Sequence, residues 1–248
     1  MDSVYDNNNL AKAYADLYKR VLPCIYSEHY TLLKEMGDLL DKSVLDLACG
    51  SGGLTREIAK LSPNELVGVD ESTKMIELAK AEEDKNPFGI KYVCKRVGNL
   101  GIIGEFDFVT AAHLLHYSKT KEELFLMCKD IFNNLKPGGK FVAVNMNPEK
   151  SVSKKKTCHV SFEGDSFYEG IKLKIELFNE KTGELECPAF FNYYWSKKTY
   201  EEAFISAGFK KVLWKNFEVS KEGMKEYSST FWKEYTEKSN LILVEAYK

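Results

Sequence analysis

Short apolar runs alternate along residues 44–146 with longer stretches in which apolar side chains recur every three or four positions. Val44–Ala48, Leu66–Asp70, Ile90–Cys94, Phe106–Ala111 and Phe141–Met146 are near-continuous apolar runs of strand length, the pattern of strands covered on both faces. Leu54–Leu61 carries helical spacing and is broken at Pro63. Ser72 caps a helix whose inner face is Met75, Ile76 and Ala79, and a longer helix spans 120–135 with Leu124, Cys128, Ile131 and Leu135 inward. The turn KPGG, Lys136 to Gly139, leads into the fifth strand. Upstream, Leu10, Ala13, Tyr14 and Leu17 predict a helix over 8–20, and a second follows Ser27 with Leu32, Leu33, Met36, Leu39 and Leu40.

The periodicity changes after residue 150. Ile171, Leu173, Ile175 and Leu177 alternate with Lys172, Lys174 and Glu176, as in an antiparallel strand buried on one face. The turn at 179–183 leads to an aromatic strand, Phe190 to Trp195, and a helix at 197–207 stops at Gly208. Strands Lys211–Val219 and Leu241–Tyr247 close the chain. The expected fold is α/β: a seven-stranded, mostly parallel sheet with helices on both faces and right-handed crossovers. An N-terminal helical cap (1–41) and a hairpin inserted after strand five (151–196), covering the substrate site, complete a single domain of 1–248.

Composition narrows the function. Lys and Arg total 35 against 37 acids, so no basic stripe for nucleic acid is expected, and Lys154–Lys156 reads as a solvated loop. Six cysteines lie scattered without C-x-x-C spacing, so no metal site is expected. No stretch reaches membrane-spanning length, and the protein is expected to be soluble, cytoplasmic, reduced, and monomeric or homodimeric.

The stretch VLDLACGSGGLTREIA, Val44 to Ala59, runs a strand through a glycine-rich turn into a helix, the layout of a nucleotide cradle. No lysine follows the glycines, so it is not a triphosphate loop. The dinucleotide pattern G-x-G-x-x-G fits at Gly50 and Gly52 but meets Thr55 at its third glycine. Asp46, four residues before Gly50, would repel a pyrophosphate and would welcome a cation. Asp70 stands 20 residues after Gly50, the spacing of a carboxylate that takes ribose hydroxyls. A cationic nucleoside such as S-adenosylmethionine (SAM) gives both acids a role.

These motifs resemble those of class I SAM-dependent methyltransferases along essentially the whole chain, with a Rossmann-like sheet. VLDLACGSG resembles the family's first motif and LVGVDESTKMIELAK, Leu66 to Lys80, its second. VGNL, Val97 to Leu100, stands where the family has an acid for the adenine amine, with Asn99 offering its carbonyl instead. FDFVTAAHLLHY and LKPGGKFVAV resemble the fourth- and fifth-strand motifs. The resemblance implies a SAM site made by Asp46, Ala48, Cys49, Gly50, Ser51, Gly52, Asp70, Glu71, Met75, Gly98, Asn99, Leu100, Ala111 and Tyr14. The layout is also similar to glycine N-methyltransferase-like and toxoflavin-synthase-like enzymes, which makes Tyr5, Tyr14 and Tyr18 candidates to close the site.

Methyl transfer needs alignment of donor and acceptor, and a base only where the acceptor arrives protonated. His113 and His116 follow the fourth strand at the sheet edge where α/β folds bind ligands, and either is a candidate base. Alternatively, one touches cofactor or backbone and the other packs on the sheet. Tyr193 and Trp195, with Phe191, would share one face of the aromatic strand and cover a substrate, or simply pack. The expected activity is methyl transfer to an N or O atom of a small molecule. Protein or nucleic-acid methylation is the alternative, disfavoured because TAAH replaces N-P-P-Y after strand four, as is a silent SAM-binding protein.

Overall fold

The computed structural model describes residues 4–6, 11, 22–150, 152–154, 158–163, 166–178 and 182–248. Its main sheet takes β1 (Ser43–Leu47), β2 (Glu65–Asp70), β3 (Lys91–Cys94), β4 (Phe106–Ala112) and β5 (Leu135–Met146) from the first part of the chain. β10 (Lys211–Lys215) and β11 (Leu241–Tyr247) join from the end, giving the order β10-β11-β5-β4-β1-β2-β3. β11 alone runs opposite to the other six strands, so the sheet is mostly parallel, as expected. Strand order reverses at β1 and β4, which pair side by side, and this opens a crevice beyond their carboxyl ends.

The strands hold because both faces are covered. Val44, Leu45, Leu47 and Val109 are wholly buried. Each such side chain contributes about 1.5–3 kcal/mol of apolar burial. The helices Gly53–Ala59, Thr73–Lys85, Lys121–Asn133 and Lys197–Ala207 cover the sheet. Three of them start on hydroxyl caps, the expected Ser72 and also Thr120 and Ser196, which accept the N–H of Met75, Glu123 and Thr199. Gly208 ends the last at φ 119°, where a side chain would be strained.

Four local expectations change. KPGG does not precede the fifth strand but lies within it: Phe106 pairs with Leu135 and Phe108 with Lys140, so the turn loops out between two paired residues. Leu40 is 60% exposed rather than inward, because the helix Tyr30–Met36 already ends at Gly37 (φ 75°). β10 stops at Lys215, and the Glu218 N–H is taken instead by Thr31 Oγ1 at 2.8 Å. The inserted hairpin is part of a larger unit, an antiparallel sheet of β6 (Ser153–Lys154), β7 (Cys158–Phe162), β8 (Lys172–Leu177) and β9 (Phe190–Tyr193). Its buried side, with Val160, Leu173, Ile175 and Phe190, forms a separate apolar cluster with Met146. The helix expected over 8–20, apart from Ala11, lies outside the described residues, together with Tyr14, Tyr18, Lys155 and Lys156. No helix among the described residues is long and apolar enough to cross a membrane, and no metal-ligating cluster occurs among them.

Candidate active site

A cavity of about 360 Å³ occupies the crevice at the ends of β1, β2 and β4. Its floor is the turn after β1. Ala48, a non-glycine residue, is held at φ 54°, and Gly50 follows at φ 55° with open space where a Cβ would point. That openness lets a ligand approach the Gly50 backbone. Gly52 has another job: at φ 85° it packs under Tyr92, whose hydroxyl a Cβ would strike, and it does not line the cavity.

Asp46 is buried at the carboxyl end of β1 and accepts a hydrogen bond from Thr55 Oγ1 at 2.6 Å. Thr55 therefore replaces a glycine in order to hold the carboxylate. Asp70 ends β2 and accepts the N–H of Gly50 at 2.9 Å and of Ser72 at 2.8 Å. Burial raises the Asp46 carboxyl to about 7, with the charge of Asp70 adding to it against the Thr55 bond. Burial raises Asp70 to about 6, against its two N–H bonds and with help from Glu71 and Asp6. Neither pairs with a lysine or arginine among the described residues. Two desolvated carboxylates without a counter-ion make a site for a cation, and SAM's sulfonium and ammonium fit that donor set.

The far wall comes from the end of β4 and from the second sheet. His113 follows β4 at φ 65°, a left-handed conformation uncommon for a residue with a side chain, and it lines the cavity. Burial, with His29 nearby, lowers its imidazole to about 4, so it is neutral at pH 7. Tyr117 lines the cavity beside it and shares a 2.9 Å hydroxyl–hydroxyl bond with Tyr5, which also lines it. Burial pushes the Tyr117 phenol up to about 12. Lys172, Phe191 and Tyr193 reach in from β8 and β9.

The structure gathers Asp46, Ala48, Cys49, Gly50, Ser51, Asp70, Glu71, Met75, His113 and Tyr193 around one cavity. It does not bring Gly98, Asn99, Leu100, Ala111, His116 or Trp195 to its wall. The backbone N–H groups of Gly98, Leu100 and Gly101 point instead at Asp130, at 2.7, 2.8 and 3.3 Å. Lys95, Arg96 and Val97 form that wall, and Ala112 takes the place of the inward Ala111. His116 is 1% exposed, with Nδ1 within 3.1 Å of Asn145 Oδ1 and accepting the Met146 N–H. Burial, with His113 adding to it, lowers its imidazole to about 3. Trp195 follows the end of β9 rather than continuing its alternation. Its ring is buried in the main core, and its indole N–H donates to the Ser118 carbonyl at 3.0 Å.

Sequence reasoning missed Tyr117, Lys119, Met127 and Lys172 as lining residues, and Asp130 as the clamp behind the wall. A carboxylate on the helix Lys121–Asn133 carries no local signal of the loop it holds. Its only trace is that Asp130 interrupts the inward face between Met127 and Ile131.

Residues 44–139 match the methyltransferase domain family, the segment that supplies β1 to β4 and the glycine turn. A demethylmenaquinone methyltransferase of Lactococcus lactis is 28% identical over 71% of this chain and 69% of its own length. A ubiquinone biosynthesis O-methyltransferase of Coxiella burnetii is 32% identical over 44% of this chain, which spans only 46% of that protein. A SAM-dependent methyltransferase structure from Clostridium acetobutylicum superposes with a TM-score of 0.64 at 17% identity, over 94% of this chain and 97% of its own. Residues 44–139 therefore carry a methyltransferase domain match, within a fold shared with SAM-dependent methyltransferase structures.

Proposed function

We propose that the enzyme transfers a methyl group to an N or O atom of a small molecule bound between His113, Tyr117 and the second sheet. The observation that carries this reading is the division of a single cavity. Uncompensated carboxylates and the glycine turn occupy one side, while aromatic rings and a neutral imidazole occupy the other. The two quinone-pathway relatives support a small-molecule acceptor. Tyr5 at the wall fits the tyrosine closure implied by the resemblance to glycine N-methyltransferase-like and toxoflavin-synthase-like enzymes.

When bound, SAM supplies a sulfonium methyl whose carbon–sulfur bond breaks as the acceptor's lone pair bonds to carbon, leaving a neutral thioether. Asp70 would hold the ribose hydroxyls of the bound cofactor, and Asp46 would offset its positive charge at the end of β1. The wall at Lys95–Val97, with Asp130 holding the loop behind it, would take the base. His113 accepts the hydrogen bond of the acceptor's O–H or N–H and takes its proton as the new bond forms. A weak base suffices there, because an oxygen or nitrogen becomes far more acidic as it gains a methyl group. The aromatic rim excludes water and aligns the acceptor with the methyl carbon. Incubation with methyl-labelled SAM and a metabolite extract, followed by mass spectrometry, tests the reading. A labelled small molecule is expected; label appearing only in protein or nucleic acid would overturn it.

A further inference from the structure

The cations around the cavity differ in their partners: Arg96 lies 3.7 Å from Glu71, and Lys95 donates to the Leu100 carbonyl at 3.3 Å. The cavity's acids, Asp46, Asp70 and Glu71, all stand at the ends of β1 and β2. The lysines at the opposite end, Lys119 and Lys172, have no carboxylate partner among the described residues. This sets them apart from their neighbours: Lys121 is paired with Glu169 at 2.7 Å and Lys174 with Glu176 at 2.7 Å. Lys172 instead holds its ammonium 3.8 Å from the centre of the Phe191 ring. Lys172 pairs across the strands with Tyr193, and Lys174 with Phe191, so all four side chains leave the same face of the second sheet. Lys119 is brought to this end because Trp195, two residues beyond β9, binds the carbonyl of Ser118.

Two unpaired cations beside two partly exposed rings form a combined recognition surface. A flat apolar ring stacks on Phe191 and Tyr193, while an anionic substituent meets an ammonium with no competing acid. A cationic acceptor would meet repulsion there, and a neutral one would leave both charges unused. We propose that the acceptor is an aromatic acid, its ring against Phe191 and Tyr193 and its carboxylate held by Lys172 and Lys119. This rests on the small-molecule methyltransferase reading above. The methionyl carboxylate of the cofactor is the other anion that these lysines could meet, and the experiment separates the two.

Calorimetry on the full chain, first with S-adenosylhomocysteine and then on that complex, uses three matched probes: 4-hydroxybenzoate, 4-hydroxybenzamide and tyramine. The acid is expected to bind about tenfold more tightly than the amide, and tyramine more weakly than either. In Lys172→Met and Lys119→Met the preference for the acid shrinks to about threefold or less, with S-adenosylhomocysteine affinity unchanged. Lys172→Arg, which keeps the charge, retains the preference. Equal binding of acid and amide, failure of all three probes to bind, or a loss confined to S-adenosylhomocysteine affinity in the lysine variants would each overturn the proposal. Failure of the wild-type chain to bind S-adenosylhomocysteine would instead overturn the methyltransferase reading beneath it.

Discussion

The two sides of the cavity are built from opposite materials. On the cofactor side, Asp46 and Asp70 are fixed by neighbours within the same sheet edge: Thr55, Gly50 and Ser72 all lie within ten residues of β1 or β2. On the acceptor side, His113, Lys119, Lys172, Phe191 and Tyr193 converge from β4, the segment after it and a separate antiparallel sheet. The first side uses burial to withhold solvent from negative charge, so that a cation is the cheapest counter-ion. The second uses exposed lysines and rings that water still reaches. The proposed donor side rests on short-range contacts, and the proposed acceptor side on long-range contacts between units.

The sharpest way to break this contrast is at Asp70. Asp70→Ala leaves the N–H groups of Gly50 and Ser72 without their acceptor and removes the ribose partner, and S-adenosylhomocysteine affinity is expected to fall about 100-fold, or ~2.7 kcal/mol. Calorimetry showing unchanged affinity would remove Asp70 from the cofactor side.

The next effect is in pH. With free-enzyme values of about 7 for Asp46 and about 6 for Asp70, both carboxyls are increasingly protonated as pH falls, whereas a bound cation favours their ionised forms. SAM affinity is therefore expected to level off only above about pH 8 and to fall as pH drops, by about tenfold per pH unit near pH 6.5 and more steeply below pH 6, with protons released on binding. Calorimetry at pH 6 in buffers of different ionisation enthalpy measures that release. A proton count near zero would mean that the acids are not the cation's partners.

The two histidines sharpen the comparison from the other side. His113→Asn keeps a residue that tolerates the left-handed backbone at φ 65° and is expected to lower turnover about 100-fold while S-adenosylhomocysteine affinity stays within about twofold. His116→Gln should leave turnover within about threefold and cost about 1 kcal/mol of stability in denaturant unfolding, because His116 bonds only within the core. Equal losses of turnover in both would undo the distinction between them.

The smallest effect is expected behind the adenine wall. Asp130→Asn weakens charge-assisted bonds to Gly98, Leu100 and Gly101 and should raise the KM for SAM about fivefold with kcat nearly unchanged. A fall in kcat with an unchanged KM would show that the loop serves chemistry rather than binding.

Legibility followed the range of the interactions. Val44–Leu47, Thr73–Lys85 and Lys197–Ala207 announced themselves through apolar period and caps, which are determined within a few neighbouring residues. Asp46, Gly50 and Asp70 could be expected at one cavity because strand, turn and helix give them fixed relative positions. Asn99 and Leu100 do not line the cavity, for a corresponding reason. Spacing places them beyond β3, but which atoms face the ligand depends on Asp130, some thirty residues away. The histidines looked equivalent in HLLHY until a left-handed turn at His113 left one at the cavity and put the other inside the core. Trp195 looked like a continuation of an alternating strand and became core when β9 ended at Tyr193.

The sequence by itself determined the parallel sheet, the glycine turn and the two acids that call for a cationic cofactor, because hydrophobic period, turn chemistry and charge act over a few residues. Tertiary structure alone decided which histidine lines the cavity, that Asp130 holds the loop at Gly98–Gly101, and that Lys172 stands beside Phe191 without a carboxylate partner among the described residues. Those outcomes depend on where a second sheet docks and on what each side chain then finds opposite it, and distances across a fold are not encoded in local spacing.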